Sequence, residues 1–426
     1  MLRAGFRGAS FDQWMLVMTD ESPTRSRELL DELFERELIS IRRGSIYDAC
    51  PAPLDLSELR RNDRIEGLLL GVAAGDSLGH STEWQYDAEM RNKQFGTILD
   101  HVSSTTSTPG RISDDTQLTF WTVERLLARG NFDFDDLAQC FSERRHKIVG
   151  MGKNTSAALR RHADRITHGS PARHVCAGDP LLDGRGNGSL MRFGPVVLPH
   201  LKRPSTDLWA DATLSALITH GNVCSLSATI AFTHLLWEIL RRPLGSAPDP
   251  EWWLDEYVKI ARELETAPLP LPLNTDPIPG EFRDFHGTLW QFVDNNVRRA
   301  WRRGVSVRDA CSLKWFGSRA DILQTVPSVL YILMSHADSF ESAIIAAVND
   351  TKDNDTIAAI AGAIVGALHG RKRVRQKWID GIRSRSLGIE GLEHLDDREV
   401  VERVARHAAR RFAGSKAGGS FFAEED

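Results

Sequence analysis

Cysteine is scarce in this 426-residue chain, and its spacing excludes two common uses of the residue. The five cysteines are scattered and odd in number, and no two of them form a Cys-x-x-Cys pair. A disulfide framework or a cysteine-ligated zinc site needs cysteines paired at short, regular spacing. The pattern instead suits a reducing compartment, so we predict a cytoplasmic location.

The chain also lacks an excess of positive charge and a long apolar run. Its formal net charge is −5, which gives no support for a nucleic-acid-binding surface. No run approaches the roughly 18 apolar residues needed to span a bilayer. Residues 1–24 lack the continuous apolar segment of a signal peptide. We therefore expect neither nucleic acid nor a membrane among its partners.

Strand signals are few and short, whereas helical periodicity recurs along the chain. Apolar residues fall at helical spacing from Asp63 onward, and the segments 211–241, 321–336 and 356–369 share that period. The sequence therefore predicts an all-α fold.

Glycine recurs at every fourth position of the first predicted helix of this region, at Gly71, Gly75 and Gly79. Each glycine lowers helix stability by about 1 kcal/mol relative to alanine. Three of them on one face predict either a close approach of another backbone or a bend in the helix.

Composition divides the chain into an N-terminal extension, a main domain and a tail. Residues 1–62 form the extension, which contains a helix predicted to begin after Pro23. The main domain is predicted over 63–410, and 411–426 is predicted to be a mobile tail. The segment 242–280 ends in a proline-rich run, which predicts a surface insertion made of an irregular loop around a short helix.

Two adjacent carboxylates, Asp114 and Asp115, stand where a predicted helix begins. Ser113 precedes them, and the apolar period continues to a stop at Gly130. A hydroxyl or an acid at such a position can cap the helix and complement its dipole. One acid suffices for that role, so the second is surplus. Capping and metal binding both remain open from this stretch alone.

A second acidic cluster far along the chain has the same design. Asp353 and Asp355 precede Thr356 at the start of another predicted helix. If the two helix starts converge, four carboxylates share one pocket and repel one another. Two hard divalent cations, Mg²⁺ or Mn²⁺, would balance them, since such ions prefer oxygen ligands. We predict this convergence, with capping as the alternative for either cluster taken alone.

Five motifs, in this order, resemble those of the ADP-ribosylglycohydrolase family. They are GLLLGVAAGDSLG, SDDTQLT, GNGSLMRFGPV, ITHGN and DNDTIAAIAGAIVGA. The resemblance covers about 63–370, and five ordered motifs are far more specific than any one of them. It implies a compact all-α fold, a binuclear Mg²⁺ or Mn²⁺ centre, and hydrolysis of the glycosidic bond between ADP-ribose and a protein side chain.

The resemblance assigns metal ligands and a proton acceptor. Asp115 or Asp355 would take a proton from the attacking water, and Glu83 falls where some members carry a glutamate beside the metals, with a surface carboxylate as the alternative. Thr351 and Lys352 replace two glycines that usually precede the second motif, and Lys352 is a candidate phosphate contact. The implied ligands of two Mg²⁺ ions (Mn²⁺ possible) are Ser113, Asp114, Asp115, Asp353, Asp355 and Thr356.

Two glycine-containing loops and a histidine complete the expected site. The loop around Gly188 can expose backbone N–H groups to a diphosphate. The segment GMGKNTS is assigned to the distal ribose or phosphates, with a capped helix start as the alternative. His220 would bond a phosphate or hold its loop. The residues that the resemblance assigns to the substrate are Asn187, Gly188, Ser189, His220, Gly152 and Asn154.

Three functions are compatible with these patterns. The first is metal-dependent removal of ADP-ribose from modified proteins, with arginine favoured because THGN and GNGSLMR look closest to the arginine-directed members. Serine and O-acetyl-ADP-ribose stay open. The second is a binding protein, since some members look like immunity proteins against ADP-ribosyltransferase toxins. Residues 1–62, with the apolar segment 10–18, would then clamp the transferase, unless that segment packs back on the core. The third is a metal phosphoesterase.

Overall fold

The computed structural model describes residues 24–85, 87–104, 107–169, 184–266 and 285–414, and these residues confirm the all-α prediction. No β-strand occurs in these ranges, where an isolated bridge joins Gly186 to Asp321. Short 3₁₀ segments connect several helices. The α-helices of the described residues are α1 (Arg25–Glu35), α2 (Leu56–Arg61), α3 (Arg64–His80), α4 (Ala88–Phe95), α5 (Asp114–Arg129), α6 (Phe134–Arg144), α7 (Lys153–Thr167), α8 (Asp207–Leu217), α9 (Val223–Arg241), α10 (Pro250–Leu264), α11 (Leu289–Arg302), α12 (Val307–Ala310), α13 (Ile322–His336), α14 (Phe340–Asp350), α15 (Asn354–His369), α16 (Gln376–Asp380) and α17 (Asp397–Ala408).

Helices α3 and α15 pack against each other through glycine, which confirms the close backbone approach. A methyl group added at Gly71 would lie 2.1 Å from the carbonyl oxygen of Gly362. At one end of the pair, a Cβ on Gly67 would lie 2.4 Å from the Gly366 oxygen. At the other end, a Cβ on Gly79 would lie 2.6 Å from Cα of Asp355. The two helices are therefore antiparallel, and the last turn of α3 lies beside the first turn of α15.

The described part of the N-terminal extension packs on the main domain. Helix α1 begins after Thr24, as predicted, and buries Leu30 and Leu33 in the common core. The Tyr47 hydroxyl lies 2.8 Å from that of Thr213 in α8. Residues 24–62 are thus tied to the core at several points. The segment 10–18 lies outside the described residues, so a partner contact there stays a prediction.

The predicted helical segment 211–241 is divided into α8 and α9. The chain turns between Thr219 and Asn222, because the Asn222 side chain accepts a hydrogen bond from the Cys224 N–H at 2.9 Å and starts a new helix. By length and composition α9 could cross a membrane, but its apolar window is almost entirely buried inside the protein.

The structure also differs from the surface insertion predicted at 242–280. Helix α10 spans 15 residues and buries Trp253, Leu254 and Tyr257 in the core. Residues 267–284 lie outside the described part of the chain. The proline-rich end of the segment indicates a loop, but the apolar period of α10 makes this helix part of the core.

Glu265, directly after α10, gives a pH-dependent contribution to stability. Its carboxylate is 3% exposed and accepts hydrogen bonds from Trp290 N at 3.1 Å and Ser227 Oγ at 3.0 Å. Burial raises the pKa of Glu265 to about 7 despite these bonds. Because the folded pKa exceeds the unfolded one, this contribution is complete below the unfolded pKa and is lost as the pH rises through about 7.

Glu265→Gln should therefore melt at a higher temperature than the wild type at pH 8, with no such gain at pH 5. The gain at pH 8 should approach about 3 kcal/mol, taking 1.36 kcal/mol per pKa unit. Glutamine can accept from Trp290 N and donate to the Ser227 oxygen, so the local bonds are kept. Thermal melts of both proteins at the two pH values measure the effect; an equal gain in the variant at both pH values would contradict a raised pKa for Glu265.

Candidate active site

The start of α5 is capped without the carboxylates of Asp114 and Asp115. Ser113 Oγ accepts from the Asp115 N–H at 3.2 Å. Asp76 of α3 accepts from the N–H groups of Ser113 at 2.9 Å and Thr116 at 3.1 Å. The free donors of the first turn are thus satisfied by Ser113 and by a neighbouring helix. Both acidic side chains remain available for another role.

The start of α15 meets the start of α5, as the convergence hypothesis predicts. Thr356 Oγ1 donates to Asp115 Oδ2 at 3.2 Å, across most of the length of the chain. Asp353 occupies the N-cap position but makes no capping bond. Its Oδ2 instead accepts from Asn187 Nδ2 at 2.6 Å. Capping therefore does not account for Asp353.

The end of α3 adds two groups that the sequence reasoning missed, Asp76 and His80. His80 Nδ1 lies 3.2 Å from Asp355 Oδ2 and 3.5 Å from Glu83 Oε2. Asp76 caps α5, as described above. A signal for both existed, since an Asp and a His four residues apart share one face of a helix whose residues from Gly67 onward are otherwise small or apolar.

Burial and mutual repulsion dominate the electrostatics of this cluster. Burial first, and the neighbouring carboxylates second, raise the pKa values of Asp114, Asp115 and Asp353 well above their usual range. The charge of Asp355, together with burial, raises the pKa of Glu83 to about 7. The acids are thus crowded enough that a cation among them would relieve the repulsion.

His80 supplies one positive charge to the cluster. Burial by itself lowers the pKa of this imidazole, but its hydrogen bonds to Asp355 and Glu83 outweigh burial and raise the pKa to about 10. The ring is therefore protonated at neutral pH. One imidazolium does not balance the carboxylates gathered around it.

The donor set fits hard divalent cations. Asp115 Oδ1 is buried and has no hydrogen-bond partner among the described residues. Glu83, Asp353 and Asp355 each offer a carboxylate oxygen, and these atoms lie within 4.8 Å of one another. Such groups of carboxylate oxygens suit Mg²⁺ or Mn²⁺ better than soft metals. The side chains of this cluster could therefore hold metal ions.

A cavity of about 740 Å³ opens onto the cluster. Its volume lies within the range of roughly 300–1,000 Å³ typical of small-molecule sites. The acids line part of its wall, and two loops, at 150–155 and 184–188, supply most of the other lining residues. Its lining residues are Glu83, Asp114, Asp115, Gly150, Gly152, Lys153, Asn154, Thr155, Gly184, Arg185, Gly186, Asn187, Gly188, Met191, His220, Ala320, Asp321, Asp353, Asp355 and Thr356.

Most of the residues assigned from the sequence line this cavity, but three do not. Ser113 is buried beneath Asp115 and donates to its Oδ2 at 2.8 Å. The hydroxyl of Ser189 lies behind the loop and accepts from Thr229 Oγ1 at 3.1 Å. Lys352 is also absent from the lining, and its backbone N–H donates to Ser318 Oγ at 3.0 Å.

The glycine loop packs tightly on the side chains behind it. A Cβ on Gly186 would lie 2.7 Å from His220 Nε2, and one on Gly188 would lie 2.9 Å from His220 Cε1. A Cβ on Gly184 would overlap the Asn154 amide, 2.1 Å from Nδ2. These glycines therefore allow the loop backbone to approach His220 and Asn154 closely, and the same approach places that backbone at the cavity wall.

The fold and the site together define an all-helical protein in which two acidic helix starts face one ligand-sized cavity. A model of the ADP-ribosylglycohydrolase family matches residues 57–417, and the chain belongs to this family. The family supports an ADP-ribosylglycohydrolase activity for the chain. The resemblance seen in the five sequence motifs is thereby confirmed.

Curated relatives and a solved structure agree with this assignment. The chain is 25% identical to ADP-ribosyl-[dinitrogen reductase] glycohydrolase of Rhodospirillum rubrum, over 75% of this chain and 90% of the relative. It is 26% identical to ADP-ribosylhydrolase ARH3 of Mus musculus, over 80% and 91%. It is 25% identical to ADP-ribosylarginine hydrolase Tri1 of Pseudomonas putida (strain GB-1), over 75% and 74%. A solved ADP-ribosylglycohydrolase-related protein complex matches with a TM-score of 0.57 and 26% identity, covering 83% of this chain and 99% of that one.

Proposed function

We propose that this protein is a cytoplasmic, metal-dependent hydrolase that removes ADP-ribose from modified arginine side chains of proteins. The observation that carries the metal-dependent step is the contact of Thr356 with Asp115, which joins both acidic clusters in the wall of the cavity. The relative named as an ADP-ribosylarginine hydrolase supports arginine.

The carboxylates of both helix starts would hold two Mg²⁺ ions, or Mn²⁺ in their place. Asp114, Asp115, Asp353 and Asp355 supply oxygen ligands, and Glu83 reaches the same group from the end of α3. When bound, such ions supply Lewis-acid activation of water and orient ribose hydroxyls. The Ser113 and Thr356 hydroxyls both donate to Asp115 Oδ2, which fixes the orientation of this carboxylate.

Asp115 and Asp355 would have different roles in hydrolysis. Asp115 has an oxygen without a protein partner, so it can accept a proton from the attacking water. Both oxygens of Asp355 are engaged, one with Thr356 N and one with His80, so it is held in place more firmly. The glycosidic bond breaks through an oxocarbenium-like state, which the nearby carboxylates stabilise.

The distal part of the cavity would bind the diphosphate and the adenosine. The backbone of the loop around Gly188 and the start of α7 after Gly152 offer N–H groups to phosphate oxygens. Lys153 lines the cavity and adds positive charge, whereas Arg185 pairs at 3.3 Å with Asp321, which also lines the cavity. Asn187 lines the cavity too, but its amide holds Asp353 and Thr325, so it acts on the acidic cluster rather than on the phosphates.

A substrate panel tests this function. The full-length protein with Mg²⁺ is incubated in parallel with peptides carrying ADP-ribose on arginine or on serine, and with O-acetyl-ADP-ribose, and products are separated by mass. We expect free ADP-ribose, released fastest from arginine and not in excess EDTA. Release of nucleotide monophosphate would instead identify a phosphoesterase. Faster release from serine would overturn the arginine assignment alone.

A further inference from the structure

A chain of hydrogen bonds runs from a buried cation to the cavity wall at His220. Arg192 is 0% exposed, and its Nη2 donates to Thr219 Oγ1 at 2.7 Å. The same Thr219 oxygen lies 2.9 Å from His220 Nδ1. His220 in turn lines the cavity. Three side chains, two of them remote from the cavity, are thus connected in series.

The chemistry of these groups fixes the direction of the series. A guanidinium has only donors, so Thr219 Oγ1 must accept from Arg192. Thr219 Oγ1 could also accept from a hydrogen on His220 Nδ1, but the buried Thr219 hydroxyl hydrogen would then have no acceptor among the described residues. With Thr219 as donor to Nδ1, every polar group of the series is satisfied. Nδ1 therefore carries no hydrogen. A neutral imidazole in this arrangement must carry its proton on Nε2.

The surroundings of His220 keep the ring neutral. Burial, and then the charge of Arg192, lower the pKa of His220 to about 3. Arg192 itself has no carboxylate partner in the described part of the chain; its Nη1 donates to Ser215 Oγ at 3.0 Å, and its guanidinium lies over the Phe141 ring at 5.4 Å from the centroid. Burial lowers the pKa of Arg192 to about 9, so the cation persists at neutral pH.

The free edge of the imidazole faces the glycine loop. His220 Nε2 and Cε1 are the atoms nearest to the positions that Cβ atoms on Gly186 and Gly188 would take. Within the described residues Nε2 has no hydrogen-bond partner. The N–H on Nε2 is therefore left for an acceptor that enters the cavity at this loop.

We propose that Arg192 and Thr219 are positioning residues that lock His220 as an Nε2–H donor to an acceptor oxygen of bound ADP-ribose. The identity of the ligand rests on the proposed function, whereas the tautomer of His220 is argued without it. A neutral donor held in one tautomer binds an oxygen without having to gain or lose a proton.

The tautomer is measured directly by ¹⁵N NMR of the imidazole in the ligand-free protein, with the His220 signals assigned by their loss in His220→Gln. The wild type should show a protonated Nε2 and a bare Nδ1. Thr219→Val removes the hydroxyl and should populate the other tautomer, whereas Thr219→Ser should keep the wild-type pattern. A protonated Nδ1 in the wild type would overturn the proposal, even if the valine variant fails to fold.

Binding of ADP-ribose, measured by calorimetry, supplies the second readout. Thr219→Val should weaken binding about tenfold, the order expected when one hydrogen-bond donor is misdirected. Thr219→Ser should bind like the wild type, and Mg²⁺ affinity should be unchanged in both variants. Equal ADP-ribose affinity in valine and wild type would show that His220 donates nothing to this ligand. Failure of the wild type to bind ADP-ribose would instead refute the proposed function and leave the NMR result standing.

Discussion

Replacing Asp115 with asparagine should abolish hydrolysis and, at the same time, stabilise the metal-free protein. The loss in kcat should be on the order of 10³, as for other preorganised groups that act on developing charge. The asparagine oxygen can still accept from Ser113 and Thr356, which both bond to Oδ2. The amide nitrogen then replaces Oδ1, which has no partner to lose. Removing one buried charge from a group of like charges relieves repulsion.

Thermal melts in EDTA and in Mg²⁺ measure both effects. The wild type should gain stability on addition of Mg²⁺, because the ion binds only the folded cluster. In EDTA the Asp115→Asn variant should have a higher melting temperature than the wild type, and adding Mg²⁺ should raise it little. Asp249→Asn is a control, since Asp249 is an acid at the start of another helix that makes no side-chain capping bond, is exposed and is not part of the cavity lining. A variant that keeps full activity in EDTA would refute the metal mechanism.

Gly71→Ala should strongly destabilise the protein, because Gly71 lies at the close contact of the helix pair described above. The new Cβ would lie 2.1 Å from a backbone oxygen and 2.7 Å from a backbone carbon of Gly362. Backbone atoms of a packed helix cannot rotate away, so the helices must separate. Overpacking of this kind costs about 1–3 kcal/mol where side chains can adjust, and we expect more here.

Gly71→Ala should weaken Mg²⁺ binding at the site as well as lower the stability of the protein. Any separation of α3 from α15 moves Asp76 and His80 away from Asp355, so Mg²⁺ binding should weaken together with the melting temperature. Gly152→Ala is the control for stability, because no atom of the described residues lies within 4 Å of its Cβ position. Should Gly71→Ala melt like the wild type, the close approach of the two helices would be wrong.

The helix starts of the site could be predicted from sequence because each carries its own local signals. Ser113 precedes paired acids, a helical period follows, and Gly130 ends α5 in the left-handed conformation at φ 84°. The order of five motifs then points to a shared site. The glycine spacing in α3 predicts that another helix packs closely on it, but this spacing alone does not identify that helix as α15.

The remainder of the site depends on contacts between elements that no local pattern encodes. Asp76 looks like one polar residue in an apolar helix, and its role as the cap of α5 exists only in the folded pair. Ser189 belongs to a matching motif, yet its side chain points to Thr229 because the loop turns at that residue. Arg192 and Thr219 lie in two separate motifs, and only packing brings them together.

The pairing of α3 with α15 also determines how late in synthesis this protein can complete its fold. Residues 81–353 are translated between the two helices, so most of the chain has been made before the partner helix of α3 exists. Until then its buried surface, including Leu68, Leu69 and Val72, has no final covering. Contacts this distant in sequence form late and leave partly made chains prone to association. A nascent chain thus has its metal-binding acids as a set only after Asp355 has been added.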